Sequence, residues 1–107
     1  MSETSSQEPG IWRILGKRWT FTILRIIGSR EPVCFNEIKK ALASISSTML
    51  TQRLLELEHE GLVSKSFNGS KIEYGLTASA RELEFILIKL DRWWTALNRA
   101  FQPVVAN

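Results

Sequence analysis

The residues best suited to chemistry in this chain lie on one face of one helical segment. From Ser47 onward, Leu50, Leu54 and Leu57 recur at gaps of three and four, which places them on a single helix face. Ser47, Thr48, Thr51 and Gln52 then point the other way, with Leu55 further round. A carboxamide can pair with both N6 and N7 of adenine, and hydroxyls bond to several base edges or to phosphate. The second half of the same segment carries Glu56, Glu58 and Glu60, so a surface meant for nucleic acid is expected only in the first two turns.

Other chemistries have little to work with. The chain has 107 residues with one Cys and one His, which excludes a disulfide framework and a zinc site built from several such ligands. No Ser-His-Asp set, phosphate loop or carboxylate pair at catalytic spacing is present, so neither an enzyme nor a cofactor is expected. Cys34 reads as a packed structural thiol, although a position just before a helix can lower a thiol pKa. His59, between Glu58 and Glu60, reads as a surface residue.

Charge is distributed unevenly. Between Arg13 and Arg53 eight basic residues stand against Glu31 and Glu37, a net +6 in a chain whose total is +3. Such asymmetry is the footprint of a phosphate-binding face. Lys17 and Arg18 are expected to open a helix, where the backbone dipole also favours anions. Lys39 and Arg53 border the polar surface, and Lys65 and Lys71 flank Asn68 and Ser70. These eight residues are the expected backbone contacts to duplex DNA, and Ser47, Thr48, Thr51 and Gln52 the expected base readers.

Those groups need elements to hold them. Residues 1 to 9 are too polar to bury a core and read as a flexible tail. Ile11 to Leu15 predicts a short helix that Gly16 breaks, and Lys17 to Gly28 a second helix with Gly28 as its stop. Phe35 to Ala43 predicts a third, and Ser44 to Ser46 supplies hydroxyl caps for the next, which runs to Glu60. From Val63 the period changes to two, with Asn68-Gly69 as the turn of a hairpin whose second strand is Ile72 to Leu76. Thr77 caps a final helix to about Phe101, where Pro103 follows. Residues 10 to 107 thus read as one domain, mainly helical with a small β-hairpin. A short turn between the third and fourth helices, then a two-stranded wing, is the winged helix-turn-helix arrangement.

The last helix, about 77 to 101, carries Leu83, Ile86, Leu87, Leu90, Trp93, Trp94, Leu97 and Phe101 in a stripe that one small core cannot cover. With Trp12 these are the expected dimer interface. No apolar run reaches the roughly 20 residues of a membrane span, and the polar, acidic start reads as no secretory signal, so a cytoplasmic protein without a membrane partner is expected.

Several runs together resemble HxlR-type transcriptional regulators, within a broader MarR-like group. They are Gly16-Lys17-Arg18-Trp19-Thr20 with Ile23-Leu24-Arg25, then Phe35 to Leu42, then Ile45-Ser46 with Met49 to Leu54, Leu57-Glu58 and Gly61-Leu62-Val63, and lastly Tyr74, Leu76 and Thr77. The resemblance spans about Leu15 to Leu83. It implies a homodimeric regulator of transcription, reading a near-palindromic operator with the helix at Ser46 to Glu60. Relatives often carry a cysteine just before the first helix, where this chain has Ile11 and Trp12, and often a longer wing. The alternative from another class is a winged-helix module of a larger complex that binds DNA weakly. The operator, the regulated genes, the sign of regulation and any small-molecule effector are not written in the sequence.

Overall fold

Residues 10–101 are described by a computed structural model, with the expected tail at 1 to 9 outside the described residues. The elements in order are α1 (Gly10–Leu15), α2 (Thr20–Arg30), β1 (Val33–Cys34), α3 (Phe35–Ala41), α4 (Ser47–His59), β2 (Val63–Asn68), β3 (Lys71–Leu76) and α5 (Ala78–Phe101). The strands form an antiparallel sheet in the order β1-β3-β2. Helices dominate and a wing follows the helix pair, so the fold is a winged helix-turn-helix. The two-residue β1 was absent from the sequence expectation. It is too short to show a period, and it exists because Val33 and Cys34 find Tyr74 and Glu73 on the edge of β3.

One core holds the unit together. Ile23 and Ile27 of α2, Ile38 of α3, Leu50, Leu54 and Leu57 of α4, and Val33, Val63 and Leu76 of the sheet are all buried in it. Burying an aliphatic side chain of this size contributes about 1.5 to 3 kcal/mol. The apolar face of α4 is therefore anchored from three sides, which leaves its opposite face as a fixed platform.

Helix ends follow local chemistry. The Ser46 hydroxyl accepts the Met49 N–H at 3.0 Å and caps α4. At the other end Gly61 adopts φ +78°, and the N–H groups of Leu62 and Gly61 donate to the Leu57 and Glu58 carbonyls. This double closure needs a left-handed residue, which glycine adopts without steric cost. Thr77 caps α5 by accepting the Ala80 N–H at 3.2 Å, and its hydroxyl donates to the Gly61 carbonyl at 2.7 Å.

Several boundaries differ from expectation; α3, for one, ends at Ala41 rather than Ala43. Gly28 does not stop α2; it lies inside it, because α5 and β3 press against it, and an added Cβ would come within 2.9 Å of Leu76 Cδ1 and collide with the Glu84 carboxylate. The helix ends instead at Arg30, before a cis Glu31–Pro32 bond. Lys17 and Arg18 precede α2 rather than open it, since Trp19 takes φ +79° and begins the helix at Thr20. The wing turns at Gly69-Ser70, one residue later than Asn68-Gly69, with Asn68 paired to Lys71. Gly69 alone carries positive φ there, the pattern of a type II′ turn. The register explains the shift: it pairs Val63 with Leu76 in the core, whereas the expected turn would have left Leu76 without a partner.

Candidate nucleic-acid interface

Ser47, Thr48, Thr51 and Gln52 are all exposed, and with Leu55 they line one shallow concavity along α4. The Ser46 cap and the buried leucines fix this surface, so all four expected base readers lie on one rigid face. Leu55 adds an apolar contact of the type that meets a thymine methyl group.

The expected backbone contacts divide. Asn68, Ser70 and Lys71 are exposed at the wing tip, and Lys39 is half-buried beside the exposed Lys40 at the end of α3. Lys65 lies on β2 with its ammonium 3.9 Å from Glu58. Next to it the Tyr74 phenol is pushed above its ordinary pKa by burial and by the Glu58 charge. Arg18 is exposed, and its guanidinium lies 5.0 Å from the centre of the Trp19 ring, a cation–π contact that leaves the charge facing outward.

Arg53 does not border the surface as expected. Its side chain turns inward and is 8% exposed, because Nε donates to the Arg18 carbonyl at 2.8 Å and Nη1 to Glu56 Oε1 at 3.0 Å. It braces α4 against the turn before α2 and is not an outward phosphate contact. Lys17 is likewise drawn in, with Nζ 3.0 Å from Glu56 Oε2. Glu56, which by sequence is one of the acids of the helix's second half, is the acceptor that gathers these side chains. Its spacing from Gln52 (four residues) and Arg53 (three) was the available signal, since both intervals bring side chains together on a helix. Burial pushes the Glu56 pKa up, but hydrogen bonds from Lys17 and Gln52 and the charge of Arg53 outweigh it and hold the carboxyl below its ordinary value.

Expected interface residues on α5 lie mostly in the open. Ile86, Leu90, Trp93 and Trp94 are exposed, as are Phe85 and Trp12 of α1, whereas Leu87 and Leu97 are half-buried. Leu83 is partly spent on its own core. Phe101 ends α5, and its side chain lies outside the described residues. Cys34 is half-buried at the start of α3, where its N–H donates to Glu37 Oε1 at 2.9 Å. That bond, the Cys34 side chain, and the charges of Lys71 and Arg30 lower the Glu37 pKa against a small effect of burial. Among the described residues no three His, Cys, Asp or Glu side chains converge as a metal site, and no helix is long and apolar enough to cross a membrane.

A short helix–turn–helix pair presenting a polar face beside a basic wing is a DNA-binding geometry, and residues 14–101 match the family model of HxlR-like helix-turn-helix proteins. The chain belongs to the HxlR family. As an HxlR protein it is a helix-turn-helix transcriptional regulator that binds DNA. The match extends beyond the run that carried the resemblance and takes in all of α5. The HTH-type transcriptional regulator YvaP of Bacillus subtilis is 38% identical over 87 residues, covering 77% of this chain and 78% of YvaP. Among solved structures, the reduced form of the transcriptional regulator YodB from B. subtilis superposes with a TM-score of 0.72 at 29% identity, covering 81% of this chain and 90% of that one. A possible HxlR family transcriptional factor from Thermoplasma volcanium gives 0.74 at 29% identity, covering 87% of each chain.

Proposed function

We propose that this HxlR regulator works in the cytoplasm as a homodimer on a near-palindromic duplex operator. The observation that carries the reading is the exposed stripe of α5. A helix of 24 residues extends about 36 Å at 1.5 Å per residue. Its outer positions Ile86, Leu90, Trp93 and Trp94 face solvent together, an apolar surface too extended for an isolated soluble chain. Trp93 and Trp94 lie with ring centres 6.2 Å apart, a ready pair of aromatic anchors. Pairing this surface with a second copy covers it isologously and relates two α4 helices by a two-fold axis.

In that dimer each α4 enters a major groove, and Ser47, Thr48, Thr51 and Gln52 meet the base edges. Arg18, Lys39, Lys65 and Lys71, with Asn68 and Ser70 of the wing, hold the flanking phosphates and fix the register without reading sequence. Two-fold symmetry in the protein then imposes inverted half-sites on the operator, roughly 34 to 36 Å apart. Repeated selection of bound fragments from a random duplex library tests this directly. The expected product is an inverted repeat with one helical turn between half-site centres. Enrichment of a single half-site, or none at all, refutes the dimeric reading.

A further inference from the structure

Glu56 stands where three donors converge on the edge of the reading surface. Oε2 accepts from Lys17 Nζ at 3.0 Å and from Gln52 Nε2 at 3.3 Å, while Oε1 accepts from Arg53 Nη1 at 3.0 Å. Arg53 is itself fixed, because it is buried and also bound to the Arg18 carbonyl. The carboxylate is thus tied to the core on one side and touches the exposed Gln52 on the other. Leu54 and Leu57 beside it are fully packed, so the helix cannot rotate to release it.

The chemistry of a primary amide gives this contact a consequence. Gln52 nitrogen carries two N–H bonds, and one of them is given to Glu56. The remaining N–H and the carbonyl oxygen form the outward edge, a donor beside an acceptor, which is the complement of N7 and N6 of adenine. A glutamine free on a helix surface samples many rotamers and must be ordered on binding, whereas this one is already oriented. Lys17 adds an opposing effect, since the same carboxylate holds back a charge that would otherwise reach phosphate.

We propose that Glu56 is a positioning residue that fixes Gln52 for reading adenine, at the expense of general affinity for duplex DNA. The inference rests on the reading that α4 meets base edges. Glu56 touches no base; it acts through the orientation of Gln52 and through its hold on Lys17.

The test uses the full chain with Glu56→Ala, Glu56→Gln, Gln52→Ala and the Glu56→Ala/Gln52→Ala double variant. Each is titrated against the selected operator, its single-base-pair variants and random duplex, over a series of salt concentrations. Glu56→Ala is expected to lose discrimination at the base pair that Gln52→Ala relaxes, by up to the roughly 5- to 150-fold of a bidentate contact. It is expected to bind random duplex more tightly, with a salt slope steeper by about one as Lys17 is freed. The double variant should discriminate no worse than Gln52→Ala alone, and Glu56→Gln, which keeps an acceptor in place, should retain the base preference. A uniform loss on all duplexes, a Glu56→Ala chain with unchanged preference, or a Glu56→Gln chain as indiscriminate as Glu56→Ala overturns the proposal. A parent chain without any base preference overturns the operator reading as well, so the two failures are distinguishable.

Discussion

Replacing Leu90 by Glu should separate the subunits, and the size of the effect follows from exposure and symmetry. Leu90 is 52% exposed in the single chain, so about half of its surface remains to be covered by a partner. Full burial of a leucine contributes about 1.5 to 3 kcal/mol, so covering the remaining half is worth about 1 kcal/mol per subunit. An isologous interface uses each residue twice, which makes the lost apolar contribution about 2 kcal/mol per dimer. In the proposed dimer two carboxylates then have to be desolvated in an interface that also holds Trp93 and Trp94, which adds several kcal/mol more. Every 1.4 kcal/mol is tenfold in affinity, so the dissociation constant should rise at least 100-fold. Sedimentation velocity at micromolar concentration should show a dimer for the parent and a monomer for Leu90→Glu. Operator affinity should fall more than affinity for random duplex, since one chain keeps its phosphate contacts and loses the second half-site. A monomeric parent, or a monomeric variant with undiminished operator affinity, refutes the reasoning.

Four further outcomes are expected. Lys71→Ala should weaken binding to every duplex alike and lower the salt slope by about one, measured by titration at several salt concentrations. Cys34→Ser should leave operator affinity unchanged with or without an oxidant, because serine serves equally well before α3 and the Glu37 bond to the backbone N–H is retained. Gly28→Ala should lower the melting temperature, as the added methyl meets the packed side chains of Leu76 on β3 and Glu84 on α5. Glu56 has its pKa lowered by folding, so its contribution is complete above the ordinary carboxylate value of about 4.3 and fades as pH falls through the lowered one. The stability gap between the parent and Glu56→Gln in thermal melts should therefore be widest near neutrality and close in acid.

Legibility in the sequence divided along physical lines. The apolar period of α4 reports burial directly, and the helix lies where that pattern placed it. The alternation on either side of Gly69 marks the extended strands, of which only Val63 and Leu76 are buried. The exposed polar face of α4 was legible from its apolar period: Ser47, Thr48, Thr51 and Gln52 are what remains when Leu50, Leu54 and Leu57 are assigned inward. Contacts between distant residues left no such trace. Nothing near Arg53 in the chain announces the Arg18 carbonyl 35 residues earlier, so its burial was invisible and its charge was assigned to the surface. Gly28 misled for a related reason, since a glycine that makes room for another element looks in sequence like one that ends a helix. The hairpin turn was placed within one residue, because Asn-Gly carries a strong local preference that the pairing of Val63 with Leu76 overrides.

The close approach at Gly28 also sets a distance that no local measurement would reveal. In a dimer joined through α5, the angle at which that helix leaves each domain decides how far apart the two reading helices stand. At Gly28 the Glu84 carboxylate of α5 and a Leu76 methyl of β3 fill the space a side chain would take. The residue has no functional group, yet in the proposed dimer it would act as a gauge for the operator. A larger residue there would tilt the lever and alter the preferred spacer between half-sites while leaving the half-site letters as they were.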